Sequence, residues 1–263
     1  MTNRPDPNQH LNEDTRKFLN KIEVIFASIG TRERKLSSLM SLLKEAKTED
    51  EIITTLQALE SLKPIEYADD LILFLNNPNL SAKVKSTAIN TLGQSILLSD
   101  DDVEKIGAST VYVQSEKVRN YINGIVENPN SPKDLYNPAV QNYYYTSENV
   151  TPFAKKLLNN NQPLNEAETT FLSSAVFADN QSTQEILPEL LKNSNHLNDE
   201  FVSQIGTFGT SDVVLQQLSL QDKQHLIQLL QSHPFNQQDE KYYVFRETAD
   251  YHIQQLLNSM VSK

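Results

Sequence analysis

The sequence has no cysteine and no tryptophan, and only 6 of its 263 residues are glycine. Without cysteine there can be no disulfide, no thiolate nucleophile and no cysteine-ligated zinc. Scarce glycine together with 33 leucines favours long helices over the turn-rich chains of β-sandwiches and barrels. The chain has no apolar run of about 18 residues, so we expect no membrane-spanning segment. These absences predict an all-α protein.

Basic residues are also in short supply. The chain has 23 lysines and arginines against 34 aspartates and glutamates, which gives a net charge of −11. The imbalance is greatest over residues 164–240, where 11 acidic residues accompany only Lys192 and Lys223. Nucleic-acid binding requires clustered basic residues at the phosphates, so we expect none. This segment is either an acidic face for a basic partner or a solubility feature with acids at helix starts.

The first residues are polar and carry no signal-peptide core. Residues 1–11 include two prolines and no apolar run. We predict a disordered polar tail over residues 1–11, outside the fold, and a cytoplasmic protein. The alternative is a periplasmic or exported domain whose leader has been removed.

An internal repeat with a spacing of 30 residues lies within residues 58–93. Its apolar positions correspond in three pairs, Ala58 with Ala88, Leu59 with Ile89, and Leu62 with Leu92. Self-similarity at about this period is typical of stacked-repeat proteins, in which each unit leans on its neighbours. Apolar periodicity predicts helices over residues 12–29, 32–46, 49–62, 65–75 and 81–97, and a last helix over 239–262. We therefore predict stacked antiparallel helix hairpins, that is, an α-solenoid.

Helix starts are marked by a leucine, a polar capping residue and an acid. Five such triplets begin at Leu11, Leu98, Leu164, Leu197 and Leu220. In all but the last, where Gln221 is a poor cap, an Asn or Ser side chain can accept a free backbone N–H. Thr48 and Glu51 form a capping box, and Pro64 and Pro78 stand where we expect helices to begin.

The second helix of the repeat has a recognisable order of residues. Val84-Lys85, Ala88 and Leu92-Gly93 give a valine, a basic residue, two variable positions, an alanine, and a closing leucine and glycine. Residues 58–93 therefore resemble the short HEAT-like repeat of bacterial scaffold proteins and of the phycobilin lyase group. The resemblance implies a HEAT-like superhelix. From the lyase group it also implies lyase or chaperone-like activity on a bound cofactor as a minor alternative.

A weaker repeat with an offset of 33 residues follows in the acidic half. Leu157, Leu158 and Asn160 correspond to Leu190, Leu191 and Asn193, and the match continues through residues 164–166 and 197–199. We predict HEAT-like repeats over 12–128, a Tyr- and Pro-rich junction over 129–152, and degenerate helical repeats over 153–263 that end in a capping helix.

Tyrosine is concentrated between these halves. Six of the 10 tyrosines fall within 34 residues, and they are Tyr112, Tyr121, Tyr136, Tyr143, Tyr144 and Tyr145. Tyrosine offers a large contact area for little rotamer entropy, so an exposed cluster is our candidate partner-binding site. The alternative is that the rings fill an irregular junction between the halves. Three consecutive tyrosines cannot all face one side of a helix or strand, so at least one should be exposed.

Catalytic and metal-binding patterns are weak. The five histidines, at positions 10, 196, 225, 233 and 252, match no strong metal spacing. Asp222 lies three residues before His225, which fits a surface ion pair better than catalysis because no nucleophile accompanies it. Asp100, Asp101, Asp102 and Glu104 look like a calcium loop, but Lys105 stands where glycine is needed. The glycines are scattered and form no phosphate loop.

These observations predict a non-enzymatic scaffold or adaptor that binds a protein or peptide, with no cofactor and no metal. One alternative is an acidic, immunity-like inhibitor that neutralises a basic partner, for which a salt-sensitive complex would be typical. The other is the lyase or chaperone-like enzyme, which a closed polar pocket at His225 or at the tyrosines would favour.

Overall fold

A computed structural model describes residues 13–160, 162–176, 178–192, 218–232 and 240–261. Every regular element in these ranges is helical, which confirms the all-α class. The chain divides into two compact units, Met1–Thr146 and Ser147–Lys263. No helix within the described ranges is long and apolar enough to cross a membrane.

The first unit contains eight described α-helices and one short 3-10 helix. Their bounds are α1 Glu13–Ala27, α2 Arg32–Glu45, α3 Glu49–Ser61, the 3-10 helix Ile65–Tyr67, α4 Ala68–Leu75, α5 Ala82–Gln94, α6 Asp100–Ile106, α7 Ala108–Glu127 and α8 Lys133–Thr146. The predicted helices over residues 12–97 agree with α1 to α5 at most ends. The helix predicted over 65–75 begins as a 3-10 turn after Pro64, and the one predicted to reach residue 97 stops at Gln94.

Helices α3, α5 and α8 pack one against the next and form what we call the first row. The Thr91 hydroxyl of α5 donates to the Leu56 carbonyl of α3 at 3.1 Å. The Lys85 ammonium of α5 binds Asp134 of α8 at 2.7 Å, and the Asn142 amide of α8 donates to Asn90 of α5 at 2.7 Å. Because residue numbers on α5 and α8 rise together through these contacts, the two helices run parallel.

A second row covers the first. Helix α2 packs on α3, α4 packs on α5, and α7 packs on α8, while α4 also contacts α7. Asp69 at the start of α4 binds the Lys117 ammonium of α7 at 2.6 Å, and this ammonium lowers the pKa of the Asp69 carboxyl. Each second-row helix therefore forms a hairpin with the first-row helix that follows it.

The apolar stripes of the repeat form the core between the rows. On α5, all four predicted positions are buried: Val84, Ala88, Ile89 and Leu92. On α4, Ala68, Leu71 and Leu75 are buried and Ile72 is half-buried. Leu59 and Ile89, which correspond in the repeat, are both fully buried.

Gly93 is the last residue of the HEAT-like pattern on α5, and α8 lies against it. A Cβ atom at Gly93 would stand 2.8 Å from the Asn142 Cβ and 2.3 Å from its Oδ1. Real Cβ atoms do not approach other atoms that closely, so only glycine fits while α8 keeps its position. The glycine of the leucine-glycine pair thus fixes the distance between α5 and α8.

The first hairpin is α2 with α3, the second is α4 with α5, and the third is α7 with α8. Arg32 joins the end of the first hairpin to the start of the second. Its guanidinium donates to the carbonyls of Leu62 and Lys63 and forms a two-pronged pair with the Glu66 carboxylate. Lys63 has φ 51°, a left-handed conformation that ends α3. Guanidinium and carboxylate are mostly buried, which makes this pair stronger than an exposed one.

The second unit begins with three short helices. They are α9 Thr151–Leu158, α10 Glu166–Ala175 and α11 Asn180–Lys192, and they are followed by α12 Leu220–Ser232 and α13 Glu240–Val261. Thr151 contacts Ser182 at 3.1 Å and Lys155 binds Glu185 at 2.6 Å, so α9 and α11 run parallel. The leucines of the second repeat, Leu157, Leu158, Leu190 and Leu191, are all buried.

Most predicted caps in the described ranges are present. Ser99 caps α6, and both Thr48 and Asn165 form complete capping boxes with the glutamate three residues on. At the last triplet the cap lies two residues before Gln221, the poor cap of the pattern: the Ser219 hydroxyl accepts the Asp222 N–H at 3.1 Å. Pro78 does not start a helix, because Ser81 caps α5 three residues later.

Several predictions fall where the structure gives no description. These are the tail over residues 1–11, the cap at Leu11-Asn12, the Leu197-Asn198-Asp199 triplet and the glycines Gly206 and Gly209. The predicted junction over 129–152 contains α8 and the start of α9, and the boundary between the two units lies inside it, after Thr146.

Candidate protein-interaction surface

The six candidate tyrosines lie on two neighbouring helices of the first unit. Tyr112 and Tyr121 are on α7, and the other four are on α8, which packs against α7. The Thr146 hydroxyl of α8 is 3.3 Å from the Asn123 side chain of α7. The structure therefore places these residues on two packed helices and not on an irregular segment, and the rings of Tyr144 and Tyr145 are in contact.

Helix α8 forms in spite of its prolines. Pro132 precedes the helix, where it is well tolerated, and Pro138 lies inside it without a backbone N–H to donate. The Asn142 amide donates to the Pro138 carbonyl at 2.9 Å as well as to Asn90. Pro138, Ala139, Val140 and Asn142 are buried, so packing on α5 and α7 outweighs the poor helix propensity of the segment.

The three consecutive tyrosines differ sharply in exposure. Tyr143 is 7% exposed and belongs to the core, Tyr144 is half-buried, and Tyr145 is 43% exposed. This confirms that they cannot all face one side. The Tyr144 and Tyr145 rings meet edge to face, with centroids 5.2 Å apart and planes at 87°. Such a pair presents a partly preformed aromatic surface.

The other three tyrosines are not equivalent either. Tyr112, near the start of α7, is 68% exposed next to the exposed Val113. Tyr121 is half-buried, and burial raises the pKa of its hydroxyl above the ordinary tyrosine value. Tyr136 is half-buried on the first half of α8. Of the six tyrosines, only Tyr112 and Tyr145 are exposed.

Sequence reasoning missed the exposed polar residues of the first-row helices α3 and α8. Gln141 precedes Tyr145 by one helical turn and is exposed, as are Gln57 and Ser61 on α3. Each pair, Gln141 with Tyr145 and Gln57 with Ser61, is four residues apart in the sequence. That spacing places two residues on one helix face but does not show whether the face is exposed to solvent. We call Tyr144, Tyr145 and Gln141 the α8 surface.

The weak catalytic candidates have structural roles in the described residues. The Asp222 carboxylate accepts the Ser219 hydroxyl at 2.6 Å at the start of α12, and the Asp102 carboxylate accepts the Ser99 hydroxyl at 2.7 Å. No group of three histidine or acidic side chains in the described part of the chain is arranged to hold a metal ion. His10, His196 and His233 lie outside that part, and the side chain of His252 is not described.

A groove of about 460 Å³ lies between α1 and α2, and neither His225 nor any tyrosine is among its lining residues. It is open and largely apolar at its floor, with Val24, Ile25 and Leu42 among its lining residues. Six of its nine lining residues are polar or charged, among them Lys17, Lys21 and Glu45.

Comparison of this chain with protein-family models, with curated proteins and with solved structures gives no match.

Proposed function

We propose that this chain is a scaffold or adaptor whose first unit is a HEAT-like solenoid segment, and that it binds a protein or peptide on the α8 surface. The observation that carries the proposal is the edge-to-face pair of half-buried Tyr144 and exposed Tyr145 on a helix that the core holds in place. Aromatic residues on rigid elements are frequent centres of binding energy at protein interfaces.

The arrangement of helices supports the solenoid part of the proposal. Parallel first-row helices, each covered by its own second-row helix, are what stacked hairpins require. Gly93 and Lys85, two positions of the HEAT-like pattern, both serve the contact between α5 and α8.

The binding part of the proposal is supported by the free-energy cost of leaving aromatic rings exposed to water. Two tyrosine rings side by side on a surface lose favourable burial, and a partner that covers them recovers it. The rings also have few rotamers to lose on binding, so the entropic cost is small.

Site-specific photo-crosslinking tests this function. A benzophenone amino acid placed at position 145 should capture a specific partner in the native cell, whereas the same probe at Tyr251, an exposed tyrosine of the second unit, should not. With the purified partner, Tyr145→Ala should weaken binding by at least about 30-fold, the loss expected of a central interface residue.

Tyr251→Ala is the matched control and should leave the affinity unchanged. A partner that binds both variants as tightly as the unmodified chain would contradict the role of the α8 surface. A complex that dissociates steeply with added salt would instead favour neutralisation of a basic partner by the acidic residues.

A further inference from the structure

Three carboxamide side chains lie at one level across the first row. Contacts of α3 and the turn after it with α5 join residues 31 and 35 positions apart, and contacts of α5 with α8 join residues 49 and 52 positions apart. Between these offsets, Gln57 of α3 stands level with Asn90 of α5, and Asn90 stands level with Gln141 of α8. One amide from each helix therefore forms what we call the amide row.

The amides of this row are open to solvent. Gln57 and Gln141 are exposed, and Asn90 is half-buried. The Asn142 amide donates to the Asn90 Oδ1 at 2.7 Å, so the Asn90 side chain is held in place while its own N–H groups are not used in that contact. Asn90 is thus a preorganised donor, with an exposed glutamine on each neighbouring helix that can both donate and accept.

Charge on this face is confined to the ends of the helices. Asp50, Lys83 and Lys133 are exposed in the first turns of α3, α5 and α8. Lys63, just after α3, reaches the Gln94 side chain at 3.4 Å. Between these ends, spacings of three and four residues continue the face through uncharged side chains, which besides the amide row are Thr54, Ser61, Thr87, Tyr144 and Tyr145. A phosphate backbone or a strongly charged partner therefore finds no complementary charge at the row.

We propose that the amide row binds the main chain of an extended peptide segment, which crosses the first row and reaches Tyr145 of the α8 surface. This inference rests on the proposed function and names the form of the partner. A carboxamide has an N–H donor and a C=O acceptor, as a peptide bond has, so each side chain of the row can pair with one peptide group. A partner helix offers few such groups, because its own hydrogen bonds use them.

The spacing of the helices sets the length of the segment. Packed helices have axes about 8–10 Å apart, so three in a row place their amides over roughly 16–20 Å. An extended chain rises about 3.3 Å per residue, so the segment has about six residues. Tyr145 lies one turn beyond Gln141 and can pack on a side chain of the segment. Main-chain pairing supplies affinity, and the tyrosine supplies side-chain preference.

A displayed library of short random peptides, panned on the full chain, provides the probe. Because the row contacts main-chain groups, we expect binders that share little sequence. For a selected peptide, Gln57→Ala and Gln141→Ala should each weaken binding by about 5-fold, the loss of one hydrogen bond. Gln228→Ala is the matched control: Gln228 is an exposed glutamine on α12 of the second unit, and its change should leave the affinity unchanged.

Methylation of single main-chain nitrogens of the peptide tests the mode of contact. Each methyl group removes one N–H donor, and at positions opposite the row it should weaken binding by at least about 10-fold, more than alanine at the same position does. In the Gln57→Ala variant, methylation at one of these positions should lose its effect, because the two changes remove the same hydrogen bond.

A library that gives no binder, or a peptide that binds Gln57→Ala as tightly as the unmodified chain, overturns the amide row. If Tyr145→Ala still weakens that peptide, or a cross-link at position 145 still captures a partner, the proposed function stands without the row. A peptide that Gln57→Ala weakens and Tyr145→Ala does not would support the row and contradict the α8 surface.

Discussion

Single residues set the distances between helices in the first unit. Gly93 is the clearest example, because the Asn142 side chain of α8 lies where a Cβ atom at position 93 would stand. Asn142, the residue that lies there, is itself held by hydrogen bonds to Asn90 and to the Pro138 carbonyl. The side chain therefore cannot turn away without breaking these bonds.

We expect Gly93→Ala to lower the free energy of unfolding by about 1–3 kcal/mol, the usual cost of overpacking. Gly124→Ala is the matched control, because Gly124 is also helical and a Cβ there would meet nothing within 4 Å. That change should be neutral or stabilising by up to about 1 kcal/mol, since alanine is the better helix former. Urea denaturation measures both, and equal effects would contradict the close approach.

Tyr121 should make stability depend on pH at the alkaline end. Burial raises the pKa of its hydroxyl in the folded protein, so the fold favours the neutral form. The stabilisation is complete below the ordinary tyrosine pKa and is lost as pH rises through the higher folded value. Tyr121→Phe should therefore lose less unfolding free energy than the unmodified chain between neutral and alkaline pH. An unchanged pH dependence of unfolding in the variant would rule the effect out.

The sequence predicts which tyrosines form the candidate group, but it does not predict the exposure of each one. That one of Tyr143, Tyr144 and Tyr145 is exposed follows from helix geometry alone. That Tyr143 is the buried one depends on how α8 is rotated against α5, which Asn142 and Lys85 decide through contacts about 50 residues away in sequence. Such contacts leave no local pattern.

Helices are the scale at which sequence reasoning worked best. Capping residues and apolar stripes are local, so α1 to α5 begin and end close to the predicted positions. The predicted repeats over residues 12–128 include α7, but no sequence spacing predicts the third hairpin, α7 with α8. Its contacts with the second hairpin join residues 45 to 52 positions apart, whereas Lys63 and Gln94 of the first two hairpins are 31 apart.

The inserted helix α6 explains this change of spacing. It occupies Asp100–Ile106 between α5 and α7, contacts α7, and has no buried residue of its own. A fixed period of 30 residues therefore does not predict the third hairpin, although α7 packs on α4 and α8 packs on α5. Pro138 obscured α8 in addition, since proline inside a helix is unfavourable unless packing compensates.

The start of α12 provides a test at this scale. Ser219 accepts the Asp222 N–H and also donates to the Asp222 carboxylate, so Ser219→Ala should cost about 1 kcal/mol. Gln221→Ala is the control, because position 221 lies within the helix and is exposed; its effect should be within about 0.5 kcal/mol of zero. Equal losses in thermal or urea unfolding would show that the cap is not at Ser219.

The whole molecule consists of two compact units that meet in sequence after Thr146. Each has its own buried leucines, so each has the core that independent folding requires. Composition and periodicity predicted two halves, but they placed a junction over residues 129–152 and could not assign α8, which packs with the first unit.

Two separate unfolding transitions should follow. Leu92→Ala, in the first unit, and Leu190→Ala, in the second, each remove a fully buried leucine and should each cost about 2–5 kcal/mol. Calorimetry should show each variant lowering one transition and leaving the other in place. A single transition that both variants lower together would mean that the two units unfold as one.

The parallel first row also has a mechanical consequence. Arg32, Thr91, Lys85 and Asn142 join each hairpin to its neighbour along the chain, and the longest of these links spans 52 positions. A force applied between Glu13 and Thr146 would act on the hairpins one after another along the chain. It would not slide neighbouring hairpins past each other. Under tension the first unit should therefore lengthen in discrete steps, one hairpin at a time, with the Asn90–Asn142 contact as one of the points that yield.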